Sequence, residues 1–162
     1  MCFRYFNVAG AWDDVGDHLH AEHVIQKMCR SAKYEYPFHL FNDKANTPDG
    51  TCVRDYLHVR DVCDAHLHAI DYLNDNKGYF VYNLGTSRGT SIKQLIASFI
   101  TSTGKSLLFE SSPPRYGDPD YLVADGHRFT SDTGYTYKHS DLNNIISTAW
   151  EYYNIKGVNN GF

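Results

Sequence analysis

The chain has 162 residues, of which 42% are apolar and 15% aromatic, and a formal net charge of −4. That length suits one domain or a large piece of one, and that apolar content excludes an intrinsically disordered chain. The acidic balance excludes a general nucleic-acid binder, which carries a basic stripe, so any anionic ligand must be held by a few placed cations.

The first residues, "MCFRYFN", already read as a strand, with no turn or cap before it. A strand needs neighbours for its backbone groups and its apolar face, so residues 2–7 are expected to join a sheet that lies mostly outside this sequence. A helix is expected over Glu22 to Lys33, with Val24, Ile25, Met28, Cys29 and Ala32 on one face. "PFHLF" (37–41) reads as a short strand, and a polar loop leads into "TPDGTCVRDYLHV" (47–59), rich in β-formers. Asp61 is read as the N-cap of a second helix, in which Val62, Ala65, His66, Ala69, Ile70 and Leu73 recur at helical spacing up to Gly78. "YFVYNLG" (79–85) is a strand ending in a glycine turn. Ser91 then caps a third helix, with Gln94 completing a capping box and Ile92, Leu95, Ile96, Phe99 and Ile100 forming its apolar stripe. "LLFE" (107–110) reads as a strand, "SSPPRYGDPDYLVAD" as a Pro/Gly-rich loop with a short extended end, and Ser140 as the start of a last helix. Alternating strands and helices give an α/β class.

Cys2, Cys29, Cys52 and Cys63 have no C-x-x-C spacing. No secretory leader is read before them, and no apolar run approaches the ~20 residues that cross a bilayer. They read as reduced thiols filling the core, with the cytoplasm as the expected location.

Few groupings carry chemistry. His18, His20, Glu22 and His23 offer nitrogen and oxygen donors, but nothing in their spacing fixes a common geometry, and no metal site is assigned. Of two histidines on the second helix, His66 is read as packed and His68 as solvated. Tyr152 and Lys156 have the Y-x-x-x-K spacing of short-chain dehydrogenases, a spacing that chance supplies readily in a chain with 13 tyrosines. "NLGTSRGTS" (83–91) has the strand–turn–helix shape that cradles phosphate, but it is neither a Walker loop nor a G-x-G-x-x-G fingerprint, so a plain tight turn is the better reading. "PPRYGDP" places Arg115, a fork suited to phosphate, three residues before Asp118, a carboxylate suited to ribose or sugar hydroxyls. Arg54 and Asp55 sit side by side among β-formers, where each needs a partner.

Together, "RYFNVAGA", "TPDGTCVRDYLHVRDVCDAH", "YNLGTSRGTS", "RYGDPDYLVAD" and "YKHSDLNNIISTAW" occur in an order that resembles the C-terminal half of the UDP-glucose 4-epimerases. These belong to the extended short-chain dehydrogenase/reductase superfamily. The likeness runs over nearly the whole chain. It implies an α/β substrate-binding domain over 1–162, lacking most of the Rossmann sheet, with 2–7 and 79–85 bordering the missing part. By resemblance, Arg54 and Arg115 reach the UDP phosphates with Tyr56 nearby, and Asp118 lies near the ribose. Asn7, His23 and Val24 lie beside the hexose, and His39, Leu40 and Phe41 flank uracil. Ile92 packs in the same pocket, Tyr5 and Phe6 approach the nicotinamide of NAD, and Asp55 is a structural partner within its own segment. The family's mechanism takes a hydride from C4 of the hexose to NAD and returns it to the other face.

The glycine fingerprint and the catalytic Tyr/Lys pair belong to the family's N-terminal half, so this chain alone is expected to be inactive and not to bind NAD. Asn42 replaces the family's glycine, Lys44 its aspartate, Ala45 its tyrosine and Gln26 its common proline. The expected partners are a UDP-hexose and either a separately encoded Rossmann half or a homodimer mate, with no nucleic acid and no membrane. The alternatives are a non-catalytic binding or interaction module, and half of a related UDP-sugar dehydratase or decarboxylase.

Overall fold

The computed structural model describes residues 1–17 and 22–159, the stretch 156–159 by backbone alone. The fold is organised on one strand, β6 (Val53–His58). Its pleat sends alternate side chains to opposite faces, so Tyr56 enters one apolar cluster and Leu57 the other.

β6 pairs in parallel with β2 (Asn7–Ala9) and β10 (Tyr121–Leu122), and antiparallel with β8 (Gly89–Ser91). The Tyr56 side is covered by α1 (Val24–Tyr34), α3 (Ile92–Thr103) and α5 (Leu142–Asn159), which contribute Met28, Phe99 and Ile145 to one core. The Leu57 side is covered by α2 (Val59–Asp75) and α4 (His127–Thr133), with Ala65 and Phe129 packed on Tyr82 and Leu84. The last two belong to β7 (Val81–Leu84), which pairs in parallel with β1 (Cys2–Tyr5). β5 (Phe38–Phe41) pairs with β9 (Phe109–Ser112), and a small hairpin joins β3 (Ala11–Trp12) to β4 (Val15–Gly16).

The α/β reading holds, and so does the capping box of α3: Ser91 Oγ accepts from Gln94 N at 3.1 Å, and Gln94 Oε1 accepts from Ser91 N at 2.9 Å. Other expectations need correction. The second helix starts earlier, with His58 as its N-cap, accepting from Arg60 N at 3.1 Å. Asp61 instead turns across to residues 138–140, accepting from Lys138 N, His139 N and Ser140 Oγ at 2.6–3.0 Å. The last helix is capped one residue after Ser140, by Asp141, which accepts from Asn143 N. His66 is exposed, whereas His68 bonds Thr133 O at 2.7 Å against the ring of Tyr135. The reason is α4, an element not anticipated, which covers the His68 side of α2. Ile70 is exposed for the same reason, since α2 packs through Ala65 and Ala69.

All four cysteines are free, but only Cys29 and Cys52 are buried. No helix among the described residues is long and apolar enough to cross a membrane.

Candidate functional site

A cleft of about 500 Å³ opens where β2, β5, β6 and the start of α1 meet, within the size range of small-ligand sites. Its floor follows from the register of β2 on β6. Asn7 lies opposite Tyr56, and Arg54 precedes Tyr56 by one pleat repeat, so all three share one surface. Burial pushes the phenol of Tyr56 well above its ordinary value, with Arg54 opposing. Tyr56 therefore stays protonated at neutral pH.

The cationic end carries Arg54, Arg115 and Asp118. Arg54 is ion-paired with Asp118, and its Nη1 donates to Val53 O at 2.8 Å. Arg115 lies flat on Phe41, with Cζ 3.8 Å from the ring centroid, a cation–π contact that holds the guanidinium at the cleft. A turn closed by Asp118 N donating to Arg115 O at 3.3 Å, with Gly117 at φ +78°, brings the two ends of the "PPRYGDP" loop together. Asp118 and Arg115 thus come to the same face as Arg54, although the chain separates Arg54 from Asp118 by 64 residues.

The rest of the wall comes from β5, α1 and α3. The β5 pleat turns His39 outward beside Phe41, and both line the cleft, while Leu40 is 2% exposed and belongs to the core. His23 and Val24 line it at the start of α1, where His23 Nδ1 meets Asp17 Oδ2 at 2.9 Å. Ile92 and Phe6 complete the assembly. Tyr5 stands outside it: half-exposed on β1, its hydroxyl contacts His66 Nε2 at 2.8 Å.

Sequence reasoning missed Asp17, Gln26, Lys27 and Cys52 as lining residues, because helix position and loop closure, rather than any motif, bring them there. His18 and His20 lie outside the described residues, as does the side chain of Lys156. Glu22 is held below the usual carboxylate range by its hydrogen bonds to Lys27 and Arg30, so its role is an ion pair on α1.

Asp55 points away from the cleft and is fully buried. Its partners are remote, not in its own segment: Oδ1 accepts from Thr86 N (3.0 Å) and Thr86 Oγ1 (2.5 Å), and Oδ2 from Ser87 N (2.9 Å) and Ala124 N (3.3 Å). The Thr86 and Ser87 amides of "NLGTSRGTS" are therefore occupied by a carboxylate, which confirms a structural turn and leaves those donors unavailable to a phosphate.

Residues 1–85 match the NAD dependent epimerase/dehydratase family. The chain belongs to that family. Among curated family relatives, the UDP-glucose 4-epimerase of Lactobacillus helveticus is 39% identical over 93% of this chain and 47% of its own length. That of Corynebacterium glutamicum is 36% identical over 92% and 46%. A crystal structure of the Stenotrophomonas maltophila UDP-glucose 4-epimerase, with bound NAD and formylated UDP-arabinopyranose, superposes with a TM-score of 0.91 at 31% identity, covering 97% of this chain and 48% of that one. The Bifidobacterium longum enzyme in complex with NAD+ and UDP gives 0.83 at 28% identity, over 98% and 48%. This family member thus spans about half the length of the curated relatives it matches, and its α/β fold is part of an extended short-chain dehydrogenase/reductase fold.

Proposed function

We propose that this chain supplies the UDP-sugar grip of a UDP-glucose 4-epimerase. One observation carries the reading: Arg54 and Arg115, distant in sequence, stand at one end of a single cleft with Tyr56, Asn7 and an aromatic edge. Arg54 and Arg115 take the two phosphates through charge-assisted hydrogen bonds. Asp118 accepts from the ribose, and His39 and Phe41 flank uracil. Asn7, His23 and Val24 lie along the hexose, with Ile92 closing the pocket. Leu40 acts from beneath, by holding the pleat that presents its neighbours. Free cysteines are compatible with a reducing compartment such as the cytoplasm.

NAD belongs to the complete enzyme, where it accepts and returns the hydride. The residues of this chain do not by themselves fit a dinucleotide: the Thr86 and Ser87 amides are taken by Asp55, and only the Tyr5–Phe6 strand end remains as a border. No step through NAD is assigned to it. The isolated chain is expected to give no conversion of UDP-galactose to UDP-glucose with NAD added, and turnover in that assay overturns this part of the reading.

The grip itself is tested by calorimetric titration with UDP and uridine. The chain should bind UDP and hold uridine much more weakly. Arg54→Ala or Arg115→Ala should weaken UDP by about tenfold to a hundredfold, as each phosphate contact contributes roughly 1.5–3 kcal/mol. Arg54→Lys should restore only part, since a point charge lacks the planar fork. Equal UDP affinity in all these proteins sinks the assignment.

A second reading has one specific support. β1 is largely exposed and, among the described strands, pairs only with β7, so it offers an unpaired strand edge, which suits a chain completed by another polypeptide, a Rossmann half or a second copy.

A further inference from the structure

The two arginines of the cleft are held in different ways. Arg115 rests on the ring of Phe41, with Cζ 3.8 Å from its centroid, a contact that leaves its charge uncompensated. Arg54 is neutralised. Its Nη2 donates to Asp118 Oδ1 and its Nη1 to Val53 O at 2.8 Å, so each terminal nitrogen already gives a hydrogen to the protein. Arg54, Arg115 and Asp118 all line the cleft, and their end of it therefore carries one net positive charge rather than two. A phosphate that takes Arg54 must displace the carboxylate or lie against it, like charge on like charge.

We propose that Asp118 sets the specificity of the phosphate end by competing for Arg54. It yields the guanidinium to a phosphate whose attached ribose gives the carboxylate hydroxyl donors in exchange, and it withholds the guanidinium from inorganic phosphates. The ligand class selected is a nucleoside diphosphate, not free pyrophosphate. The inference rests on the UDP-sugar reading above and adds to it a coupling between two contacts.

Three observations carry it. Arg54 is the fixed member of the pair, on a strand flanked by three others, with a side chain only 12% exposed. Asp118 is the adjustable one, a short side chain 39% exposed on the loop that Gly117 turns at φ +78°. A pair with so accessible a partner exchanges readily for a stronger contact. Lastly, Asp118 N donates to Arg115 O at 3.3 Å, which keeps the carboxylate at this end after it leaves Arg54. An ionised carboxylate only accepts hydrogen bonds, so there it needs donors. Ribose hydroxyls supply them, whereas pyrophosphate brings charge and almost no donors.

The test titrates UDP and inorganic pyrophosphate calorimetrically against the wild-type chain, Asp118→Asn, Asp118→Ala, Arg54→Ala and the Arg54→Ala/Asp118→Asn double variant. Wild type should bind UDP and hold pyrophosphate far more weakly. In both Asp118 variants pyrophosphate should tighten by about threefold to tenfold while UDP stays level or weakens, so the preference for UDP falls by at least about threefold. The gain should vanish in the Arg54→Ala background, because it acts through that guanidinium. An unchanged preference overturns the inference while the phosphate grip stands. Parallel weakening of both ligands makes Asp118 a brace for its loop and also overturns it. So does a gain that persists without Arg54, or pyrophosphate that neither Asp118 variant binds. A wild-type chain that does not bind UDP overturns the phosphate grip and this inference with it.

Discussion

Arg54 and Asp55 are neighbours with opposite assignments because a strand turns consecutive side chains to opposite faces. Arg54 enters the cleft, where Asp118 neutralises it in the unliganded chain, while Asp55 enters the interior and holds the turn at 86–87 and the segment at 124. Each depends on a different part of the chain, so their mutants should separate. Asp55→Ala leaves the buried amide of Ala124 and the partly buried amides of Thr86 and Ser87 without their acceptor and should cost about 3 kcal/mol, at roughly 1–3 kcal/mol for each fully buried orphaned group and less for the others. Arg54→Ala breaks only a partly exposed pair and should cost under about 1 kcal/mol. Urea unfolding of the two variants checks this, and equal midpoints would contradict the division of labour. The sequence marked both residues as needing partners, and the arginine's ligand class followed from its chemistry. The partners of Asp55 were illegible, since they lie 31 to 69 residues away and three of its four bonds are to backbone amides that carry no residue signature. Asn42 shows the converse: it stands where the resemblance leads one to expect a glycine, and its φ is +56°, a region asparagine tolerates better than most residues.

At the scale of elements, local signals were readable and long-range ones were not. The capping box of α3 is wholly contained in four consecutive residues, Ser91 to Gln94, and appears as expected. Ser91 Oγ also donates to Asp49 Oδ2 at 2.5 Å, fastening the "TPDGT" turn to the helix. Ser91→Ala should therefore lower stability by about 1–2 kcal/mol or slightly more, beyond an ordinary cap. Denaturant unfolding measures it, and a change below about 0.5 kcal/mol would show both contacts to be dispensable. The cap of α2 was misread because His58 has no sequence signature of a cap. It works as one through its neutral tautomer: Nδ1 accepts from Arg60 N while Nε2 contacts Thr148 Oγ1 at 3.1 Å, tying α2 to α5. Burial depresses the imidazole below its ordinary value near 6.5, against the opposing pull of Asp61. Between the folded value and about 6.5 the unfolded chain binds a proton that the folded chain refuses, so stability is full above that window and falls as pH drops through it. Unfolding midpoints at about pH 8 and about pH 5 should differ less in His58→Asn, which keeps a capping side chain but does not titrate. An unchanged difference would assign the pH dependence to other groups.

At the scale of the whole molecule, alternating elements made the α/β class legible, while strand pairing was not. β5 finds β9 and β6 finds β10 across some 70 residues, and short strands of two to four residues carry too little pattern to declare a mate. The structure distributes support unevenly as a result. β6 has three strand partners and a core on either side. β1 and β7 have only each other among the described strands, and a two-stranded sheet is marginal on its own. Tyr82 and Leu84 anchor β7 in the core, but β1 carries its exposed Tyr5 and Arg4 outward, tied by four residues of register and the Tyr5–His66 contact. Amide hydrogen exchange should therefore be slowest in β6 and markedly faster in β1, with β7 between, because local opening costs little where few buried contacts are lost. Exchange as slow in β1 as in β6 would mean that its edge is covered in solution. In that case protection should fall on dilution, and light scattering after size exclusion should report more than one chain. Slow exchange in β1 of a protein that remains a monomer at every concentration would contradict the ranking outright.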